Sequence, residues 1–131
     1  MKMMYTGRVL AACLMLSVLA AAIHADDEPS VVGWEQAGEH VGEKVTVEGP
    51  VVATAYLQHV GGKPTFLNVG KPHPEPGRFT VVIWGKHRDN FDGAPEKTYA
   101  DKKIRVTGVI KMHKNNPEII VKSPDQIQIV E

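Results

Sequence analysis

The sequence predicts an all-β protein, a small β-barrel, on two observations about its central and C-terminal region. Residues 44–130 contain short segments rich in Val, Ile, Thr and aromatic residues, and clusters of Gly, Pro and Asn separate these segments. Both features are typical of short strands joined by turns. The predicted strands cover residues 45–49, 65–69, 79–84, 104–110, 118–121 and 126–130. A chain of this size leaves little apolar area for a deep cavity, so we expect any ligand on the surface.

Residues 1–25 have the composition of a secretory signal peptide. Two basic residues precede an uncharged run dominated by Ala, Leu and Val, residues 9–23, and an acidic segment follows it. Cleavage is expected after Ala25, with Ala22 as the alternative. A membrane span needs about 20 apolar residues, so an uncleaved anchor is disfavoured. We therefore expect a periplasmic or secreted protein that is not stably inserted in a membrane.

The mature chain is predicted to contain no cysteine, because the single Cys13 lies inside the signal peptide. Residues 10–13 imitate a lipoprotein box, but the apolar run continues well beyond them and favours an ordinary signal peptide. Export is then compatible with a fold that has no internal disulfide. The remaining residues, 26–131, have the length of one domain.

The first elements of this domain are a short helix and a long, bent strand. Residues 30–42 carry apolar side chains at helical spacing, with Trp34 as the packing residue and Ser30 as a candidate cap. We expect this helix to plug one end of the barrel. The first strand extends over residues 44–60, too long to be straight, and Gly49-Pro50 supplies a bend or bulge.

The later segments complete a recognisable strand order. A Gly-rich turn precedes the second strand, and a stiff loop with three prolines, residues 70–77, precedes the third. Residues 85–103 have no strand pattern and are expected to contain a helical turn, and residues 111–117 form the last loop. Three strands, a short connector and two more strands are the order of the OB-fold, a five-stranded Greek-key barrel.

Several motifs strengthen this interpretation. They are Val45-x-Val47-x-Gly49, Phe66-Leu67-Asn68-x-Gly70, Phe79-Thr80-Val81-Val82-Ile83, Tyr99-x-x-Lys102-Lys103-Ile104-x-Val106-x-Gly108 and Pro117-Glu118-Ile119. Over residues 34–130 this pattern resembles the nucleic-acid-binding OB domains of exported bacterial proteins, some of them fused to thermonuclease-type nucleases. The resemblance implies the fold more specifically than the ligand. It implies no hydrolysis, because the chain carries no nuclease signature.

What the resemblance implies is a site on the second and third strands and their neighbouring loops, with aromatic side chains for bases and cations for phosphates. Side chains alternate along a strand, so Phe66, Asn68 and Trp84 face outward if Leu67 and the odd-numbered residues 79–83 fill the barrel. A one-residue slip would reverse this assignment. The candidate binding residues are Tyr56, His59, Lys63, Phe66, Asn68, Arg78, Trp84, Lys86, Arg88, Lys111, His113 and Lys114.

Charge is distributed unevenly along the chain. Residues 26–52 carry seven acids against one lysine, whereas residues 53–122 carry twelve bases against six acids. A nearly neutral protein can therefore present a basic face, provided that the central strands and loops share one side. The alternative is an ordinary solvated surface in which lysines protect strand edges.

The sequence contains no pattern typical of a catalytic or metal site. Its mature histidines, His40, His59, His73, His87 and His113, form no closely spaced pair, and no cysteine accompanies them. The loop acids lack a general-base partner, and Val60-Gly61-Gly62-Lys63 lacks the helix that a P-loop requires. We therefore predict a protein that is not an enzyme and uses no metal or cofactor.

These observations predict an exported, single-domain OB-fold module that binds single-stranded DNA or RNA without catalysis. The competing hypothesis is a periplasmic module that binds a protein, a glycan or a small molecule on the same face. An exported protein partner is compatible with either hypothesis. Salt dependence separates them, because contacts to phosphates weaken steeply as salt rises.

Overall fold

The computed structural model describes residues 28–131, in which eight strands form one sheet. The strands are β1 (Val31–Gly33), β2 (Lys44–Tyr56), β3 (Thr65–Val69), β4 (Phe79–Ile83), β5 (Lys103–Val109), β6 (Lys111–His113), β7 (Asn116–Ile120) and β8 (Ile127–Val130). A short α-helix, α1 (Pro95–Thr98), and the 3-10 helices Trp34–His40, Gly85–Asn90 and Pro124–Gln126 connect them. The predicted signal peptide and its cleavage site lie outside the described residues.

The sheet has the order β6-β7-β4-β3-β2-β5-β8, with β1 added in parallel to β2. The pairing of β4 with β7 is parallel, and the other neighbours along this path are antiparallel. The prediction of a mostly β, barrel-like fold is confirmed, and β2, β3, β4, β5 and β7 follow the predicted order. The strand number of the predicted five-stranded barrel is wrong, because β1 and β6 extend the sheet and β8, which corresponds to the segment predicted over residues 126–130, is a further strand.

The barrel is also less regular than predicted, because the ladder stays open between β5 and β7 within residues 28–131. These two strands nevertheless approach closely. A Cβ atom on Gly108 of β5 would lie 2.6 Å from Cγ2 of Ile119 on β7. Side-chain packing, rather than backbone hydrogen bonds, therefore holds the two strands together at this seam.

The long strand predicted as the first one is β2, and it bends as predicted. Because of this bend, β2 pairs with strands in both halves of the sheet. Its first half, Lys44 to Pro50, pairs with β5, and its second half pairs with β3. The register shifts between Val51 and Ala53, just after Gly49-Pro50. A bulge of this kind increases local twist and turns one strand into two differently directed segments.

The predicted helix over residues 30–42 is only partly correct. Its first residues form β1, because the Ser30 carbonyl accepts a hydrogen bond from the Thr46 backbone N–H (2.8 Å), which ties this segment to β2. The helical part is a 3-10 helix that begins after Gly33, which provides no side-chain cap, so Ser30 is not the cap. Trp34 packs against the core as predicted, and Ala37 is fully buried.

The core decides between the two strand registers that the alternation left open, in favour of the one that places Leu67 inside. Leu67, Phe79, Val81 and Ile83 are all fully buried in one hydrophobic cluster. Phe66, which directly precedes Leu67, is half-buried and points to the other face of the sheet. None of the helices in residues 28–131 has the length and apolar character that crossing a membrane requires.

Candidate binding groove

A groove of about 380 Å³ lies on the outer face of β3 and β4, between the end of β2 and the β6–β7 hairpin. Apolar, amide, hydroxyl and cationic groups all line it. These residues are Ala55, Leu57, Phe66, Asn68, His73, Arg78, Thr80, His113, Lys114, Asn116, Pro117 and Glu118. We call this surface the groove.

Its apolar part is centred on Phe66. In the strand register Phe66 lies between Ala55 of β2 and Val82 of β4. The small side chain of Ala55 leaves space above the sheet beside the half-buried ring. The ring of Phe66 is therefore part of the groove wall, whereas the neighbouring Leu67 belongs to the core.

A polar row crosses the sheet two residues farther along the strands. Asn68 pairs with Thr80, and Thr80 pairs with Glu118 of β7. The Thr80 hydroxyl donates a hydrogen bond of 3.1 Å to Asn68 Oδ1, and both residues are largely buried. Two residues of strand span about 6.6 Å, so this polar row lies within reach of a flat molecule that stacks on Phe66.

Cationic side chains border the groove at its other end. Arg78 precedes β4, and its Nη1 donates to the Glu75 carbonyl (2.9 Å). Lys114 occupies the tip of the β6–β7 hairpin, where Lys114 and Asn115 both have positive φ values, 49° and 66°. Two such residues in succession form the tight turn that right-handed strand twist favours. The loop predicted over residues 111–117 is thus a hairpin, because this turn pairs its two halves.

Two polar atoms of the groove are not satisfied within residues 28–131. The Nε donor of Arg78 and the Oδ1 acceptor of Asn116 are buried without a hydrogen-bond partner. Buried polar groups in folded proteins are normally paired, and leaving one unpaired costs about 1–3 kcal/mol. Both residues line the groove.

Glu118 gives the groove an acidic group among its cations. Burial raises the pKa of Glu118 above its ordinary value, although the positive charges of His113 and Lys111 act in the opposite direction. Lys111 lies directly opposite Glu118 in the β6–β7 ladder, and its side chain is exposed. The electrostatic field of the groove is therefore mixed rather than uniformly positive.

Two of the predicted site residues, Tyr56 and Arg88, form a separate cluster with Glu96 of α1. The Arg88 guanidinium lies 3.6 Å from the centre of the Tyr56 ring and 2.9 Å from Glu96 Oε1, and it also contacts the Thr65 hydroxyl. Burial, the largest influence, raises the pKa of Glu96, but the hydrogen bond from Arg88 and further contacts together hold it below its ordinary value. Tyr56 and Arg88 therefore contact each other, and Arg88 also forms an ion pair with Glu96 of α1.

The remaining predicted residues lie around the β2–β3 turn and its neighbours. Trp84 continues the outward face beyond Val82 and covers Gly62, whose added Cβ atom would meet the indole at 3.0 Å. The backbone of the adjoining Gly85 donates to the Gly62 carbonyl (2.8 Å), which fixes this turn against the end of β4. The exposed residues of this group are His59, Lys63 and Lys86.

The structure thus brings together five of the twelve predicted residues in the groove: Phe66, Asn68, Arg78, His113 and Lys114. The sequence analysis did not include His73, Thr80, Asn116 and Glu118. Strand alternation was a usable signal for Thr80, which shares a face with Trp84. The parallel pairing of β7 with β4, which places Glu118 beside Thr80, is a long-range contact that local pattern does not encode.

Within residues 28–131 no three His, Cys, Asp or Glu side chains converge in a way that could hold a metal ion. His73 and His113 both line the groove.

Comparisons with known proteins identify no family for this chain. No family model matches it, and no curated protein sequence matches it either. Solved structures with a similar backbone include the aspartyl-tRNA synthetase of Entamoeba histolytica (TM-score 0.49, 16% identity). The similarity covers 82% of this chain and 22% of that chain. The asparaginyl-tRNA synthetase of the same organism is similar (TM-score 0.45, 19% identity, 78% of this chain and 24% of that chain).

The hypothetical protein ygiW from E. coli is also similar, with a TM-score of 0.45 and 22% identity over 77% of this chain and 90% of that chain. The chain spans less than a quarter of the two synthetases. With TM-scores below 0.5 and identities below 25%, these similarities decide neither its ligand nor its activity.

Proposed function

We propose that this protein is a non-catalytic OB-fold module that binds single-stranded DNA or RNA in the groove. The observation that carries the proposal is the half-buried ring of Phe66 in a groove bordered by Arg78 and Lys114. Stacking of a base on an aromatic side chain is worth about 1–3 kcal/mol, and nearby cations attract the phosphates. The groove combines both kinds of contact with amide and hydroxyl groups between them.

The cationic end of the groove suits a phosphate or the sugar beside it. Arg78 retains an unpaired Nε donor, and the exposed Lys114 is free to turn toward a ligand because it lies at a hairpin tip. Guanidinium and ammonium groups make charge-assisted hydrogen bonds to phosphate oxygens. Asn116, which lies in the same part of the groove, supplies a further acceptor.

Trp84 supplies a second stacking surface along the same face. It follows Val82 by two residues, and Val82 pairs with Phe66, so the two aromatic side chains lie on neighbouring rows of the sheet. This spacing suits successive bases of an extended strand. We therefore expect Trp84 to contribute to the binding of an oligonucleotide more than to the binding of a mononucleotide.

Two further parts of the proposal come from the sequence. The strands β2, β3, β4, β5 and β7 form the five-stranded Greek-key unit of an OB-fold, to which the other strands are additions. Residues 1–25 direct the protein to the periplasm or the exterior, where an exported protein is a further partner. Neither a metal nor a cofactor takes part in binding.

The test is fluorescence anisotropy of a labelled mixed-sequence single strand at low and at physiological salt. Phe66→Ala should weaken binding about tenfold, the value of one stacked base. Lys114→Glu should weaken it at low salt and flatten the salt dependence. The matched control is Lys44→Glu, the same charge reversal at an exposed position at the start of β2, which should leave binding unchanged.

Each outcome distinguishes the hypotheses. Saturable binding that falls with salt, and that Phe66→Ala weakens while Lys44→Glu does not, supports the proposal. Equal effects of Lys114→Glu and Lys44→Glu would indicate non-specific attraction and contradict it. An absence of binding at low salt would exclude nucleic acid and leave the protein, glycan or small-molecule ligand of the competing hypothesis.

A further inference from the structure

Of the described residues that line the groove, Glu118 alone is acidic. Its position is fixed by two ladders, since it pairs with Thr80 of β4 on one side and with Lys111 of β6 on the other. Its carboxylate makes no ion pair with any other residue of the segment 28–131. The groove therefore contains a half-buried acceptor group that the fold itself does not use.

A carboxylate at this position is unfavourable in two respects, its partial burial and its effect on a bound phosphate. Partial burial without a partner disfavours the charged form, which is the reason that burial raises the pKa of Glu118. A negative charge on the groove wall also repels a phosphate placed directly above it. A phosphate should therefore bind toward Arg78 and Lys114, and the ligand group that meets Glu118 should be a donor of hydrogen bonds.

A base stacked on Phe66 has such donors on its edge. Resting on the proposed function, we propose that Glu118 reads the Watson–Crick edge of this base and selects guanine. Guanine presents two adjacent N–H donors, on N1 and N2, that match the two oxygens of a carboxylate. Adenine and cytosine offer one amino group beside an acceptor, and thymine and uracil offer one N–H between two carbonyl oxygens, which a carboxylate repels.

The rest of the polar row matches guanine as well. Thr80 donates its hydroxyl proton to Asn68 Oδ1, which orients the Asn68 amide and leaves its NH₂ group to donate. Along the row, the donor of Asn68 and the acceptor of Glu118 stand on opposite sides of Thr80. The edge of guanine has the same order, with the O6 acceptor at one end and the N1 and N2 donors at the other.

The experiment uses a labelled oligo-dT of about ten nucleotides, within the range that one OB-fold occupies, with one central dT, dG or deoxyinosine. Deoxyinosine keeps O6 and N1–H but lacks the N2 amino group. We expect the strand with dG to bind about tenfold more tightly than oligo-dT, the lower range of a bidentate base contact, with deoxyinosine between them. In Glu118→Gln the ratio between dG and dT should fall to about one.

The control is Glu39→Gln, the same substitution at an exposed position in the 3-10 helix Trp34–His40, which should keep the full preference for dG. Glu118→Ala should lose the preference as Glu118→Gln does, and circular dichroism verifies the fold of both variants. Equal affinities for all strands in the unmodified protein, or a preference that survives both Glu118 variants, would overturn the inference and leave the proposed function intact. If no strand binds at all, both fail.

Discussion

At the scale of single residues, two arginines of one predicted site have different roles because of their partners. Arg88 stacks on Tyr56 and forms an ion pair with Glu96, in which both side chains are only 18% exposed. Arg78 donates to one backbone carbonyl and keeps an unpaired Nε donor within residues 28–131. Residue type indicated a cation in both cases. The partners, which the fold supplies, decide which of the two is available to a ligand.

Lys114 shows the same principle in its backbone. Its φ of 49° is a left-handed conformation that costs a side chain with a Cβ atom about 1–2 kcal/mol, and glycine recovers part of this at an entropic cost of about 0.5–1 kcal/mol. Lys114→Gly should therefore stabilise the protein by about 0.5 kcal/mol in urea unfolding. It should also weaken binding of a single strand, because the groove loses a cation.

The matched control is Lys63→Gly, since Lys63 has a similar φ of 45° and lies outside the groove. This variant should gain a similar stability and keep its affinity. A loss of affinity in Lys63→Gly as large as that in Lys114→Gly would show that the β2–β3 turn also contacts the ligand. In that case the wider set of residues predicted from the sequence would describe the site better than the groove does.

At the scale of elements, short-range pattern predicted what depends on alternation. The period of two correctly placed Leu67 and Phe66 on opposite faces of β3, whereas burial in the folded sheet decides that Leu67 belongs to the core and Phe66 to the groove. The hairpin β6–β7 was missed because Lys and Asn residues there read as a loop. Its turn depends on positive φ values at Lys114 and Asn115, which these residue types adopt only in a suitable context.

The sequence predicted that Trp34 packs on the barrel, but it did not predict where, because the position of the indole depends on two glycines distant in sequence. A Cβ atom on Gly49 would lie 2.6 Å from Trp34 Cδ1, and one on Gly70 would overlap the indole rings of Trp34 directly. Real Cβ atoms do not approach other atoms this closely. The absence of side chains at both glycines is therefore what allows Trp34 to lie against the barrel.

Gly70→Ala should consequently destabilise the protein by about 3 kcal/mol or more. It adds backbone strain at a φ of +82° to a direct clash of the new Cβ atom with the indole of Trp34. Gly93→Ala is the control, because Gly93 has a φ of +95° but nothing lies within 4 Å of its added Cβ atom. It should cost only the strain, about 1–2 kcal/mol. Equal losses in urea unfolding would mean that Trp34 moves away at little cost, and that its packing contributes little.

At the scale of the whole molecule, the fold rather than the net charge decides which positive charges are available to a ligand. The chain has no net charge, with equal numbers of acidic and basic residues, so its overall field offers a polyanion little attraction. Several lysines and arginines are committed elsewhere. Lys103 and Arg105 both pair with Glu48 on the β2–β5 ladder, and Arg88 pairs with Glu96. The groove has two cations for contacts with phosphates, Arg78 and Lys114, beside the acidic Glu118.

This count predicts a shallow salt dependence for a nucleic-acid binder. Each phosphate neutralised on a single strand contributes about −0.7 to the slope of log K against log salt, so two contacts give about −1.4. Lys114→Glu should bring the slope to about −0.7 or closer to zero, and Lys44→Glu should not change it. Anisotropy titrations over a range of salt concentrations measure these slopes directly. A slope steeper than about −3 in the unmodified protein would require phosphate contacts well outside the groove, and the exposed lysines of the β2–β3 turn and its neighbour Lys86 would then be part of the interface.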